Sequence, residues 1–350
     1  MVNQDNELIF STSPDSLPPS ISSAILKAED FVFLELPPRQ VILYPWLLEQ
    51  SITLVSGWRN TGKTWFGLSL FDTVTRKGGA FGPWKVRTPV SALYLDGEMP
   101  SSDFQKRLEQ IEISTSLERT ESLYVCSDAY GNTLGLAKSN LLSREWRAKF
   151  KELLLEKGVR LVGFDNISSL CPGMDENLKK DWDPVNQWLL DLRYSGIASM
   201  LFHHTGKSGL QRGTSAREDN IDCSILLEWP FDYEPEGGVR FLLKFDKKRV
   251  GEGLDLLTDL EFTYGAVEGK YVWQWKSAKR KKQIEILKML NSGARQDDIA
   301  SLLKVTKGYV SQIKSQAIKE GNLSESGKLT KKGLMLVNDP SEGKTDGKIY

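Results

Sequence analysis

The chain has 350 residues, room for about two domains, and its 40% hydrophobic, 26% charged composition supplies a large core and excludes a mainly disordered, collagen-like or coiled-coil protein. Its formal net charge of zero hides two unlike parts: 16 Lys and Arg against 8 Asp and Glu from Lys276 onward, and 30 against 38 before it. No apolar run approaches the roughly 18 residues of a membrane span, and Met1-Val2-Asn3-Gln4-Asp5-Asn6-Glu7 lacks the basic and apolar regions of a secretory signal, so the expected location is cytoplasmic with no membrane partner.

Residues 1–44 are expected to be a flexible lead-in, rich in Ser, Pro and acidic groups and without a sustained period. From about Leu48 short apolar runs alternate with helical stretches. Strands are predicted at 51–55, 90–95, 122–126, 160–164 and 197–202, and helices over 62–75, 144–157 and 182–194. Continuous apolar strands separated by helices indicate a parallel sheet covered on both faces. After Ile221 the pattern changes to strands alone, at 224–227, 240–245, 260–264 and 271–275, which predicts an antiparallel extension on one edge. Cys126, Cys171 and Cys223 lie far apart, form no CxxC pair and read as reduced core thiols. The fold class is therefore α/β over 45–275, followed by a small basic domain over 276–337 and a disordered tail over 338–350.

Gly57-Trp58-Arg59-Asn60-Thr61-Gly62-Lys63-Thr64 fits G-x-x-x-x-G-K-[ST] at every fixed position, between a predicted strand and a predicted helix. Glycines at both ends let the backbone wrap a polyphosphate with its N–H groups pointing inward, and the following helix adds its positive end. The cofactor contacts expected are Gly57, Arg59, Asn60, Thr61, Gly62, Lys63, Thr64 and Trp65. Lys63 would reach the β- and γ-phosphates of ATP, and the Thr64 hydroxyl would ligate Mg2+.

Such a site needs a second acid for the metal and a carboxylate to polarise water. Leu161-Val162-Gly163-Phe164-Asp165 ends an apolar strand in an acid, so Asp165 is the metal partner. Asn166 follows it, which leaves no adjacent Glu as general base. Leu93-Tyr94-Leu95-Asp96-Gly97-Glu98 supplies one from another strand end, where parallel sheets bind ligands. Glu98 is the expected base; Asp96 competes with it, but reads as the residue closing the strand.

Those segments, with Leu201-Phe202-His203-His204-Thr205-Gly206-Lys207 and Gln211-Arg212-Gly213-Thr214-Ser215-Ala216-Arg217-Glu218-Asp219, resemble the plasmid RepA-type hexameric helicase ATPases of the RecA/DnaB-like superfamily over about 45–275. The resemblance implies a homohexameric ring with ATP between subunits. It makes His204 the sensor of the γ-phosphate and Lys207 and Arg212 contacts to DNA phosphates in a channel loop. Lys247-Lys248-Arg249-Val250-Gly251 matches the late strand that carries a trans-acting cation in DnaB-like relatives. Arg249 is the expected finger with Lys247 beside it, and Arg212 is the alternative. His203 and His204 are the only histidines; adjacent strand residues point to opposite faces, which does not suit a shared zinc.

In the basic part, helices are predicted over 283–290, 296–303 and 307–320, with Gly327-Lys328-Leu329-Thr330-Lys331-Lys332-Gly333 as a wing. This resembles a winged helix, a module that binds DNA or serves as a protein-docking or subunit-packing piece. Its third helix would offer Lys307, Tyr309, Ser311, Gln312 and Lys314 to a DNA groove. The expected function is an ATP-dependent ring-forming DNA motor of a plasmid, phage or other mobile element. The alternative is a nucleotide-switched DNA-binding regulator or recombination mediator that does not unwind.

Overall fold

The computed structural model describes residues 21–175, 178–205, 220–230, 233–234, 238–267, 269–337 and 347–349. A 3-10 turn at Ile21–Ala24 and α1 (Ala28–Phe31) belong to a unit of their own that ends at Pro38. The second unit opens with β1 (Val41–Tyr44), β2 (Leu47–Leu48), β3 (Ile52–Gly57) and α2 (Lys63–Val74). It continues through β4 (Ala80–Phe81), β5 (Trp84–Val86), β6 (Ala92–Asp96), α3 (Ser101–Glu112), β7 (Leu123–Ser127) and α4 (Asp128–Thr133). Then come α5 (Arg144–Glu156), β8 (Leu161–Asp165), α6 (Ile167–Leu170), α7 (Lys179–Tyr194) and β9 (Ala198–His204). Four strands follow: β10 (Cys223–Glu228), β11 (Val239–Lys248), β12 (Leu260–Val267) and β13 (Lys270–Ser277). The chain closes with α8 (Ala278–Asn291), α9 (Gln296–Leu302), α10 (Lys307–Lys319), α11 (Lys331–Val337) and β14 (Gly347–Ile349).

Ten strands form one sheet in the order β14-β13-β12-β11-β10-β3-β9-β8-β6-β7. From β10 to β7 all neighbours are parallel, and from β10 outward to β14 all are antiparallel. The expected mixed α/β sheet with an antiparallel edge is therefore the observed one. Alternation along the central strands divides two cores between its faces. Val55, Tyr94, Met200 and Phe202 join Phe66 and Phe71 of α2 on one side. Leu54, Leu93, Leu95, Val162 and Leu201 join Phe150 of α5 and Trp188 of α7 on the other. Burying a large apolar side chain there contributes roughly 1.5–3 kcal/mol. Helix α2 lies close to the sheet because Gly67 has no Cβ; one placed there would come within 2.6 Å of Phe202 and 2.7 Å of the Tyr94 hydroxyl.

Several expected boundaries shift. Val41–Tyr44 is a strand, not lead-in: it pairs with β2 and β5 in a separate four-stranded sheet and buries Ile42 and Leu43, so the folded unit begins at Arg39. The tail expected to be disordered contributes β14, whose residues pair with Trp273–Trp275; residues 338–346 and 350 lie outside the described residues. Helix α8 starts at Ala278, straight from β13, rather than at Gln283. The expected wing is shortened to a tight turn in which Ser324 N–H donates to Lys328 O, and α11 takes its second half. Gly333 permits this, since a Cβ there would lie 1.9 Å from Asn322 O. Ile286, Ile299, Val310 and Ile313 form the small core of this last module. Among the described residues no helix is long and apolar enough to cross a membrane.

Candidate active site

Strand register brings the chemistry to one edge. Gly57 at the end of β3 pairs with His204 at the end of β9, and Asp96 at the end of β6 pairs with Asp165 at the end of β8. Between β3 and α2 the loop turns at Gly62, whose φ of 97° suits glycine, and α2 begins with no side-chain cap on its N–H groups. A cavity of about 480 Å³ opens there, lined by Arg59, Lys63, Thr64, Glu98, Asp165 and His204 among others.

The Lys63 ammonium donates to Gly57 O at 2.8 Å and Trp58 O at 2.7 Å. Burial pushes its pKa down to about 8, against the pull of Asp165 and Glu98. Thr61 is buried and donates to Trp58 O, bracing the loop, whereas Arg59 and Asn60 are exposed at its rim. Trp65 packs its ring on Tyr264 and under the Arg107 guanidinium, 5.0 Å from the ring centre.

Asp165 Oδ2 accepts from the Thr64 hydroxyl and the Tyr94 hydroxyl, each at 2.7 Å. Burial raises the Asp165 pKa, opposed by those two hydrogen bonds and by Lys63. Tyr94 is fully buried, which holds its phenol well above the ordinary range and keeps it a donor. A hydroxyl and a carboxylate side by side next to Lys63 fit Mg2+, which takes few protein oxygens and completes its shell with water and substrate phosphates. Among the described residues there is no cluster of three His, Cys, Asp or Glu side chains that could hold a metal by itself.

The two competing acids differ in their surroundings. Asp96 is 1% exposed; it accepts from Met99 N–H at 2.9 Å and shapes the turn after β6. Burial pushes its pKa up from 3.8 to about 7. Glu98 stands on that turn with its side chain 59% exposed. Its Oε2 accepts from the Asn166 amide and lies 3.7 Å from His204 Nε2, while Asn166 Nδ2 is 3.2 Å from the same nitrogen. Burial and the Lys63 charge lower the His204 pKa, so the ring is neutral near pH 7. His203 is buried on the opposite side of the strand.

The raised pKa of Asp96 carries a stability prediction. Its folded form holds the proton more tightly than the unfolded chain, so its contribution is complete below about pH 4 and is lost as pH rises through about 7. Asp96→Asn keeps an acceptor for Met99 N–H and never ionises. Urea melts are expected to match the parent near pH 4 and to exceed it by at least about 1 kcal/mol at pH 8. Equal stabilities at both pH values would contradict this reading.

Other expected site residues lie elsewhere. Arg249 N–H donates to Asp222 O, and Lys247 pairs with Ser224, at the end of the sheet opposite the P-loop. Lys207 and Arg212 lie outside the described residues. Lys307 is exposed and paired with Asp297 at 2.9 Å, Gln312 is exposed and Lys314 half-buried. Tyr309 departs from the exposed position expected of it: it is half-buried and lines a cavity with Lys248, Leu257 and Asp259. The turn before α10 aims it at the antiparallel strands, which no helical period reveals. Sequence reasoning also missed Tyr94 and Arg107. Tyr94 had a signal, since it alternates with Asp96 on one face of β6; Arg107 had only its place on the helix that starts right after Glu98.

Residues 284–346 match the family described as wHTH-PRTase associated. Among solved structures, a KaiC-like protein from the hyperthermophilic archaeon Pyrococcus horikoshii OT3 is similar over 66% of this chain and 92% of that one, at 12% identity and a TM-score of 0.44. No curated protein matches the chain. Residues 18–209, more than half of the chain, match the family described as AAA domain, and with its P-loop between β3 and α2 the protein belongs to that family of P-loop ATPases.

Proposed function

We propose that the protein is a Mg2+- and ATP-dependent, ring-forming DNA motor, a replicative helicase of the RepA type serving a plasmid, phage or other mobile element. The observation that carries this reading is the separation of the charges. Lys63, Thr64, Glu98 and Asp165 share one edge of the sheet, whereas Lys247 and Arg249 lie at the other. Cations so far from Lys63 reach a γ-phosphate only in a neighbouring copy. Repeated around a closed assembly, that contact gives a homo-oligomeric ring, a hexamer in the family resembled.

In this reading Glu98 accepts a proton from the water attacking the γ-phosphorus. Lys63 and the N-terminus of α2 draw off charge on the β- and γ-phosphate oxygens, and Arg249 of the neighbour, beside Lys247, meets the charge on the transferring group. Mg2+, held by Thr64 and Asp165, supplies Lewis-acid stabilisation when bound. His204 relays the γ-phosphate state to 205–219, where Lys207 and Arg212 hold phosphates of single-stranded DNA. Lys307, Gln312 and Lys314 offer the C-terminal module contacts to duplex DNA.

The test is ATP hydrolysis by the full chain with and without single-stranded DNA. A motor is expected to be stimulated at least about fivefold, as two coupled sites allow. The second reading, a nucleotide-switched DNA-binding regulator, draws support from the direct passage of β13 into α8, pinned by Ala278 N–H on Asp259 O at 3.0 Å. It predicts site-specific duplex binding and no stimulation.

A further inference from the structure

At the end of the sheet away from the P-loop, Asp222 engages three segments just before β10 begins. Its N–H donates to Ile52 O at 2.9 Å and its Oδ2 accepts from Ile52 N–H at 2.9 Å, closing a ring with the first residue of β3. Its carbonyl oxygen accepts from Arg249 N–H at 2.9 Å. The same Oδ2 takes a charged hydrogen bond of 2.6 Å from Arg193 Nη2, in the last turn of α7, and that nitrogen also donates to Asn220 O at 2.8 Å. The ion pair is largely covered, with 21% of the Arg193 side chain and 17% of the Asp222 side chain exposed. Arg249, by contrast, is exposed. It lies past the end of β11, after a bulge: Ser224 pairs with Lys247 but Ile225 with Phe245, so Asp246 is an extra residue that turns the strand end.

One carboxylate thus lies between two arginines. A half-buried Asp222 anion left without a partner attracts the nearest cation. Arg249, hydrogen-bonded to the Asp222 main chain, can reach that carboxylate with its own long side chain. Arg193 occupies the place instead, and the chemistry above gives it no task. We infer that Arg193 is a positioning residue for the trans-acting arginine: by neutralising Asp222 it keeps that carboxylate from drawing Arg249 back onto its own chain, and so leaves the guanidinium to the neighbouring copy. Arg193 acts on the reaction only through Arg249. It acts in the copy that donates the cation, not in the copy that holds the nucleotide.

The inference rests on Arg249 being the trans-acting cation, and the test separates the two. Arg193→Gln keeps a donor for Asn220 O and Asp222 Oδ2 but no charge. ATP turnover by the full chain is expected to fall about tenfold with nucleotide binding retained, the lower end of what one hydrogen bond to a charged group is worth. In mixed assemblies the variant should behave as a defective donor. With Glu98→Gln, about a quarter of the interfaces join a sound Glu98 to a sound Arg249, and turnover rises to about a quarter of the parent's. With Arg249→Ala it stays below that of Arg193→Gln alone. The double variant Arg193→Gln/Asp222→Asn leaves no charge unpaired and keeps an oxygen for Ile52 N–H, so it is expected to turn over at least about threefold faster than Arg193→Gln. Merely structural damage reverses the mixing pattern, because Ile52 opens the strand that ends in the P-loop, and the second substitution then deepens the loss. If Arg249→Ala alone leaves turnover intact, the reading of Arg249 fails. If Arg249→Ala is inert, three results overturn the positioning role: Arg193→Gln assembles and turns over like the parent, it is rescued by Arg249→Ala rather than by Glu98→Gln, or the double variant is no faster than the single one.

Discussion

Glu98→Gln is expected to bind ATP about as well as the parent and to hydrolyse it at least about a hundredfold more slowly, the loss that accompanies removal of a general base. The neighbouring acids cannot substitute. Asp96 is 1% exposed and commits an oxygen to Met99 N–H. Asp165 is occupied at Oδ2 by the Thr64 and Tyr94 hydroxyls. Glu98 lines the cavity on a mostly exposed side chain, next to Lys63 and His204. Glutamine keeps its length and its acceptor oxygen, so binding is retained while proton acceptance is lost. Nucleotide binding by fluorescence and single-turnover hydrolysis separate the two effects. A variant that turns over within tenfold of the parent would move the base elsewhere.

The parts of this site legible in the sequence are those whose chemistry is written in consecutive residues. The loop from Gly57 to Thr64 and the strand ends at Asp96 and Asp165 are local patterns, and the register that aligns them follows from parallel pairing of apolar runs. What the sequence concealed depends on contacts between distant segments. Tyr94 reads as another strand aromatic until β8 lies beside β6 and puts Asp165 within reach of its hydroxyl. Asn166 registers only as the absence of a second acid, although its amide and carbonyl join Glu98 to α6. The four-stranded sheet of β1, β2, β4 and β5 escaped for a different reason. Its strands are two to four residues long, too short for a period, and the first was hidden behind a Pro-rich stretch.

Arg249→Ala is expected to lose turnover by about a thousandfold, the lower end for an arginine that stabilises a transferring phosphoryl group. An equal mixture with Glu98→Gln is expected to recover much of the loss. Geometry rules out an effect within one copy. Arg249 is tied to Asp222, and Leu227, which pairs with Gly57, lies five residues further along the strand, about 16 Å at roughly 3.3 Å per residue. In a mixed assembly an Arg249→Ala site still has Glu98, and a neighbouring Glu98→Gln copy still presents Arg249. Random pairing restores about a quarter of the interfaces, so the mixture should run at about a quarter of the parent rate although each variant alone is nearly inert. Sedimentation of the same samples checks that both variants still assemble. Recovery in the mixture would assign the active site to two copies of the chain. Arg249→Ala that assembles and turns over at the parent rate would make the far-edge cations surface charges, and the ring would lose its chemical reason.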